Sequence, residues 1–78
     1  MIKTNNQWTR ILRKYRYLHE LTVEQMAAKI GVSKSTYLAL EKAIRSRPSQ
    51  RTMKELAILL NKDIETLVEL YYDANLQK

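Results

Sequence analysis

Apolar residues recur at helical spacing in five short runs along the chain, and polar caps or breakers separate the runs. Trp8, Ile11, Leu12 and Tyr15 share one face of a first helix, and Arg16 extends that stripe by one step before the pattern frays near His19-Glu20. Thr22 opens a second helix: its hydroxyl can cap the first turn, Gln25 completes a capping box, and Leu21 and Met26 are placed as a hydrophobic staple. Val23, Met26, Ala27 and Ile30 then repeat at i, i+3, i+4, i+7. Gly31 ends this helix, because glycine takes the left-handed conformation that a helix C-terminus often needs. Ser33 caps the third helix at once, with Val32 and Tyr37 as a second staple and Tyr37, Leu40, Glu41 and Ile44 as the stripe. Arg45-Ser46-Arg47-Pro48-Ser49 reads as a connecting loop. Ser49 caps a fourth helix carrying Met53, Leu56, Ala57 and Leu60. Asn61-Lys62 breaks the pattern, and Asp63 caps a fifth helix with Ile64, Leu67, Val68 and Tyr71 as its apolar face. Tyr72 to Lys78 reads as a frayed end.

Two details constrain how these helices meet. The turn between the second and third is too short for antiparallel packing, so the two must cross steeply. Close approach at such a crossing needs a small side chain, and Ala27 supplies one, although alanine is also simply a good helix former. Glu41 stands where the third stripe calls for an apolar residue. A buried carboxylate without a partner costs several kcal/mol. Arg16 extends an apolar stripe in the same way and can pair through two hydrogen bonds. The alternative is two solvated charges; either way the pair is structural and not catalytic.

Composition narrows the picture. Seventy-eight residues, 45% of them apolar, suit one small domain spanning 1–78. One glycine, one proline and no phenylalanine leave little turn chemistry for hairpins, so an all-α five-helix bundle is the economical fold class. Without cysteine there is neither a disulfide frame nor a thiolate metal site, and the single histidine, His19, is expected to bond free carbonyls at the end of the first helix. The longest apolar run, Leu56 to Leu60, is far short of a membrane span, and Met1 to Asn6 lack the apolar core of a secretory signal. A reduced cytosol is the expected compartment. The net charge of +6 suggests an anionic partner. Between residues 34 and 54, Lys34, Lys42, Arg45, Arg47, Arg51 and Lys54 face Glu41 alone, whereas residues 55–77 hold five acids against Lys62 alone. The positive charge is therefore gathered on the third helix and the loop after it.

The ordered pieces Leu12-x-x-x-Arg16, Leu21-Thr22, Ala27, Ile30-Gly31-Val32-Ser33, Tyr37 to Glu41, Pro48-Ser49 and Leu56-Ala57-x-x-Leu60 resemble a helix-turn-helix domain of the phage Cro and repressor type, the XRE family. The resemblance covers about Trp8 to Leu70. It implies a five-helix bundle of the phage-repressor type, an Arg16–Glu41 pair linking the first helix to the third, and a third helix that enters the major groove of DNA. The sequence departs from the family pattern at three places. Val23 replaces a glutamine that touches a phosphate and braces the recognition helix, and Ala43 replaces a common glycine. Leu38 and Ala39 fall where polar base-reading side chains are common.

In that frame the first turns of the third helix reach base edges. Lys34 can donate to guanine, Ser35 can bond a base or a phosphate, and Leu38 and Ala39 offer apolar contact to thymine methyls. Thr22, Ser33, Thr36, Lys42, Arg45, Arg47 and Arg51 are the candidates for the phosphate backbone, which gives affinity without sequence information. Tyr15, Tyr37 and Tyr71 lie on core stripes, so packing accounts for them better than base stacking, and Trp8 is expected to be a core anchor. There is no Ser-His-Asp arrangement, glycine-rich phosphate loop or carboxylate pair suited to catalysis, and no enzyme, cofactor or small-molecule substrate is expected. The leading reading is a sequence-specific regulator of transcription, in effect a repressor, that binds double-stranded DNA as a homodimer on a palindromic operator. Ile64, Leu67, Tyr71, Tyr72 and Leu76 are the candidate dimer contacts. The rival keeps the fold but docks a protein partner, as an antitoxin-like or regulatory adaptor does. The apolar Leu38 and Ala39 favour the rival and the charge map opposes it.

Overall fold

Four of the five helices begin at a polar side chain that accepts from the backbone three residues on. Asn6 Oδ1 accepts from the Thr9 amide at 2.8 Å, Thr22 Oγ1 from Gln25 at 3.1 Å, Ser33 Oγ from Thr36 at 3.2 Å, and Ser49 Oγ from Thr52 at 3.1 Å. The helices of the computed structural model that result are α1 (Gln7–Leu18), α2 (Val23–Ile30), α3 (Lys34–Glu41), α4 (Gln50–Leu60) and α5 (Ile64–Leu76). The structure describes residues 6–44 and 48–76, with the side chain of Leu76 excepted. Arg45, Arg47 and the Leu76 side chain, all named above as candidate contacts, lie outside the described residues.

The helix ends share one device. The amides of Leu21, Val32, Ile44 and Lys62 reach back to the carbonyls of Arg16, Ala27, Ala39 and Ala57 at 2.9, 3.0, 3.1 and 3.0 Å. Each bond closes a Schellman turn around a residue of positive φ: Glu20 (+53°), Gly31 (+74°), Ala43 (+59°) and Asn61 (+56°). The single glycine serves one of the four, and the remaining three ends are made by residues for which the left-handed region is strained or merely tolerated.

One core joins all five helices. Trp8, Leu12, Met26, Tyr37, Leu40, Leu56 and Leu67 are its largest fully buried side chains, and Trp8 meets Tyr71 edge-on with ring centroids 4.9 Å apart. Ala27, on α2, is buried with them, and α2 packs on α3. No helix among the described residues is long and apolar enough to cross a membrane.

Three expectations need correction. Ile44 is 55% exposed although it completes the α3 stripe, because the left-handed Ala43 turns the chain and takes the buried position itself. Val68 is 49% exposed, since α5 buries the line Leu67, Tyr71 and Ala74 and Val68 lies about 100° around from Leu67. The segment from Tyr72 does not fray: α5 runs on to Leu76, held by buried Ala74 and by Asn75 Nδ2, which donates to the Ala43 carbonyl at 2.9 Å.

Candidate nucleic-acid interface

Helix α3 is held at its C-terminal end and open at its N-terminal end. The carbonyls of its last turn, which a helix leaves without partners, are all satisfied. Leu38 and Ala39 accept from the amides of Lys42 and Ile44, and Leu40 accepts from the Ala43 amide. Leu40 also accepts from Trp8 Nε1 at 2.8 Å, and Glu41 from Thr9 Oγ1 at 2.7 Å. Two side chains of α1 therefore seal the end of α3. Neither bond is signalled by local spacing, since the partners lie 32 residues apart.

The charge on the α3 stripe is paired as the resemblance implied, and by more groups than expected. Glu41 is 2% exposed. Its Oε2 accepts from Arg16 Nε at 3.1 Å and from the Tyr37 hydroxyl at 2.7 Å, and its Oε1 accepts from Arg16 Nη2 and Arg13 Nε, each at 3.4 Å. Arg13, half exposed on α1, was not foreseen; its position one turn before Arg16 was the available signal. Burial alone would lower the Arg16 pKa, but its hydrogen bonds and attraction to Glu41 more than offset this and raise it. The Tyr37 phenol is pushed well above its usual range, first by burial and then by its bond to the Glu41 carboxylate. No buried side-chain nitrogen or oxygen among the described residues lacks a partner. The only acid between residues 34 and 44 is thus withdrawn from the surface, which leaves that stretch purely cationic outside.

At the open end, Lys34 and Ser35 are exposed, and Leu38 and Ala39 are half-buried on the following turn. Ser33 not only accepts from the Thr36 amide but donates to Thr36 Oγ1 at 2.9 Å, so the cap uses the Ser33 hydrogen and leaves the Thr36 hydroxyl its own O–H to donate. Lys34 Nζ lies 3.7 Å from Glu24 Oε2, an exposed pair that ties the first turn of α3 to the first turn of α2. The Thr22 amide, a candidate for binding phosphate, donates to Gln25 Oε1 at 2.8 Å as half of the capping box, so this candidate reduces to the exposed hydroxyl. Arg51, exposed on the first turn of α4, lays its guanidinium over the α2–α3 turn, with Nη2 3.9 Å from where a Gly31 side chain would begin. Lys42 is exposed at the end of α3. Lys34, Thr22, Ser33, Ser35 and Arg51 are therefore gathered around the α2–turn–α3 unit, while Lys42 stands at the far end of the same helix.

Several candidate roles change. Leu67 and Tyr71 are buried in the core of their own chain, so they are unavailable as dimer contacts; Ile64 is half-buried and Tyr72 is 66% exposed. His19 closes α1, and its ring rests on Tyr15 at 4.1 Å between centroids, where an interaction with free carbonyls had been expected. Among the described residues no cluster of histidines and acids could hold a metal ion.

The comparisons with known proteins agree with this geometry. Residues 12–67 match the helix-turn-helix family model. An uncharacterized HTH-type transcriptional regulator of Methanocaldococcus jannaschii is 39% identical over 56 residues, which cover 72% of this chain and 83% of the relative. No solved structure matches the chain at a significant level. The matched segment runs from buried Leu12 on α1 to buried Leu67 on α5 and contains the whole α2–turn–α3 unit. The chain belongs to the XRE-type helix-turn-helix family.

Proposed function

We propose that this protein is a sequence-specific regulator that binds double-stranded DNA through α3, acting as a repressor by occupying its site and working as a homodimer. The observation that carries the reading is the polarity of α3. Its C-terminal end is fixed by Trp8, Thr9 and the Glu41 network, while its N-terminal turn, with Lys34 and Ser35, is exposed, with the Arg51 guanidinium of α4 over the adjoining turn and one acid, Glu24 of α2, beside Lys34. A helix presented end-first in this way fits the major groove, and its first residues reach base edges. Lys34, Ser35, Leu38 and Ala39 are the base-reading set. Thr22, Ser33, Thr36, Lys42 and Arg51 are the backbone set, joined by Arg45 and Arg47 from the loop. Such a regulator binds and does not catalyse, needs no cofactor, and works in the cytosol beside the nucleoid.

The half-buried Leu38 and Ala39 favour a second reading, in which the same face docks a protein. Salt separates the two. Neutralising Z phosphates gives a slope of about −0.9Z in log affinity against log salt, and four to eight contacts per dimer place it between about −4 and −7. Duplex binding measured by fluorescence anisotropy across a salt series should fall that steeply. A slope near zero, or no duplex binding at low salt, removes DNA from the account and promotes the docking module.

A further inference from the structure

The outward faces of α1 and α5 carry opposite charge in matching periods. On α5, Glu65, Val68, Glu69, Tyr72 and Asp73 are exposed and follow one another at i, i+3, i+4, i+7, i+8. The helix holds no lysine or arginine. On α1, Arg10, Lys14, Tyr17 and Leu18 are exposed at i, i+4, i+7, i+8, and that helix holds no acid. In both, like charges recur once per turn, about 6 Å apart, beside two large exposed apolar side chains. Tyr17 and Leu18 are 65% and 70% exposed on the basic face, and Val68 and Tyr72 are 49% and 66% exposed on the acidic one. A groove between the start of α4 and α5, lined by Met53, Ile64, Val68 and Tyr72 among others, runs along the acidic face.

The two faces cannot satisfy each other within one chain, because α1 and α5 pack together through Trp8 and Tyr71, on their inner sides. Arg10, Lys14, Glu65, Glu69 and Asp73 accordingly have no ion-pair partner among the described residues. A symmetric contact of α5 on α5 would set three acids against three acids with no cation between them. We infer that the acidic α5 face of each copy docks on the basic α1 face of the other, a reciprocal contact that closes a two-fold dimer, with Tyr17 and Leu18 seated against Val68 and Tyr72. This contact rests on the proposed homodimer, to which it gives an interface, and does not depend on DNA binding. None of its residues lies on α3, and sedimentation without DNA measures it apart from DNA binding.

Sedimentation of the full chain without DNA tests the contact. The wild-type chain should self-associate, and association should weaken about tenfold or more as salt is raised from about 0.05 to 0.5 M. Arg10→Glu/Lys14→Glu and Glu65→Lys/Glu69→Lys should each be monomeric alone, and an equimolar mixture should associate again. Tyr72→Ala, which leaves every charge in place, should also weaken association about tenfold. The proposal is overturned if the wild-type chain is monomeric or if salt tightens its association. It is overturned equally if the folded α1 variant associates as well as wild type, which is the result expected of an α5–α5 contact. Should either charge variant fail to fold, the salt series on the wild type and the Tyr72→Ala measurement decide the matter by themselves.

Discussion

The Tyr37 hydroxyl donates to Glu41 Oε2 at 2.7 Å, one turn along the same helix, and so joins the buried aromatic core of α3 to its one acidic side chain. That bond sits at the centre of a network in which Arg16 and Arg13 reach the same carboxylate from α1. The network fixes α3 against α1 without using anything on the first turn of α3. On the proposed reading, stability and DNA recognition therefore rest on opposite ends of one eight-residue helix.

Breaking the network at its acid should be severe. Glu41→Ala leaves the Arg16 guanidinium, whose side chain is 13% exposed, without its carboxylate, at a cost of about 3 kcal/mol or more. Removing Arg16 and Glu41 together should destabilise less than the two single changes summed, and urea denaturation of the four proteins measures this coupling. Strict additivity would show that the pair does not interact. Arg13→Ala should cost under about 1 kcal/mol, because that side chain is 39% exposed and its bond is longer.

The raised phenol pKa sets an alkaline limit. A group whose folded pKa lies above its unfolded value of 10.0 keeps the folded state better protonated. Its contribution is complete below pH 10 and is lost as pH climbs from there toward the folded value. Tyr37→Phe should cost about 1–2 kcal/mol at neutral pH by removing the bond to Glu41. The same variant should lose less stability than wild type between neutral pH and about pH 11. Parallel pH–stability curves for the two proteins would contradict this.

The Schellman turns leave room for improvement. Glu20 is exposed at φ +53°, so Glu20→Gly relieves left-handed strain and removes no buried contact. After allowance for the freer unfolded chain, the gain should be about 0.5–1 kcal/mol, seen as a higher midpoint of thermal unfolding. Gly31→Ala should move the midpoint the other way.

These helix ends also mark how far the sequence could be read. The five helices were legible because stripes and caps coincide, as at Thr22/Gln25 and Ser33. The pairing of Arg16 with Glu41 was legible because each stands as a charge on an apolar stripe. What escaped was tertiary. The one sign that Ala43 takes a left-handed turn is the glycine common in the family at that position, and alanine itself gives none, so Ile44 was assigned to the core that Ala43 fills. Nor does any spacing pair Trp8 and Thr9 with the carbonyls of α3, or Asn75 with Ala43, and without that last bond the end of α5 looked free. Of the candidate interface, the residue types on α3 were readable, whereas the Glu24–Lys34 pair required the α2–α3 crossing.

That pair makes a prediction about affinity. Glu24 offers a carboxylate to Lys34 at 3.7 Å in the free protein, and it would stand beside any phosphate held at the start of α2. Glu24→Gln should therefore tighten binding to every duplex by about two- to fivefold. Lys34→Ala should instead cost about 1–3 kcal/mol on the best site and relax one base pair. Arg51→Ala should weaken all duplexes alike and flatten the salt slope by about one unit. Binding curves on one specific and one random duplex separate the three patterns. Equal losses on both duplexes for Lys34→Ala and Arg51→Ala would show that α3 holds DNA without reading it.

The most direct test of the central claim, that α3 reads sequence, is selection of bound duplexes from a random pool, with wild type and Leu38→Ala run in parallel. Leu38→Ala leaves the charge untouched and alters only an apolar contact on the second turn of α3. The account predicts that wild type enriches a two-fold symmetric site, and that the variant enriches the same site with a thymine-bearing position degraded. A wild-type pool that remains random after repeated rounds, despite binding at low salt, would contradict it.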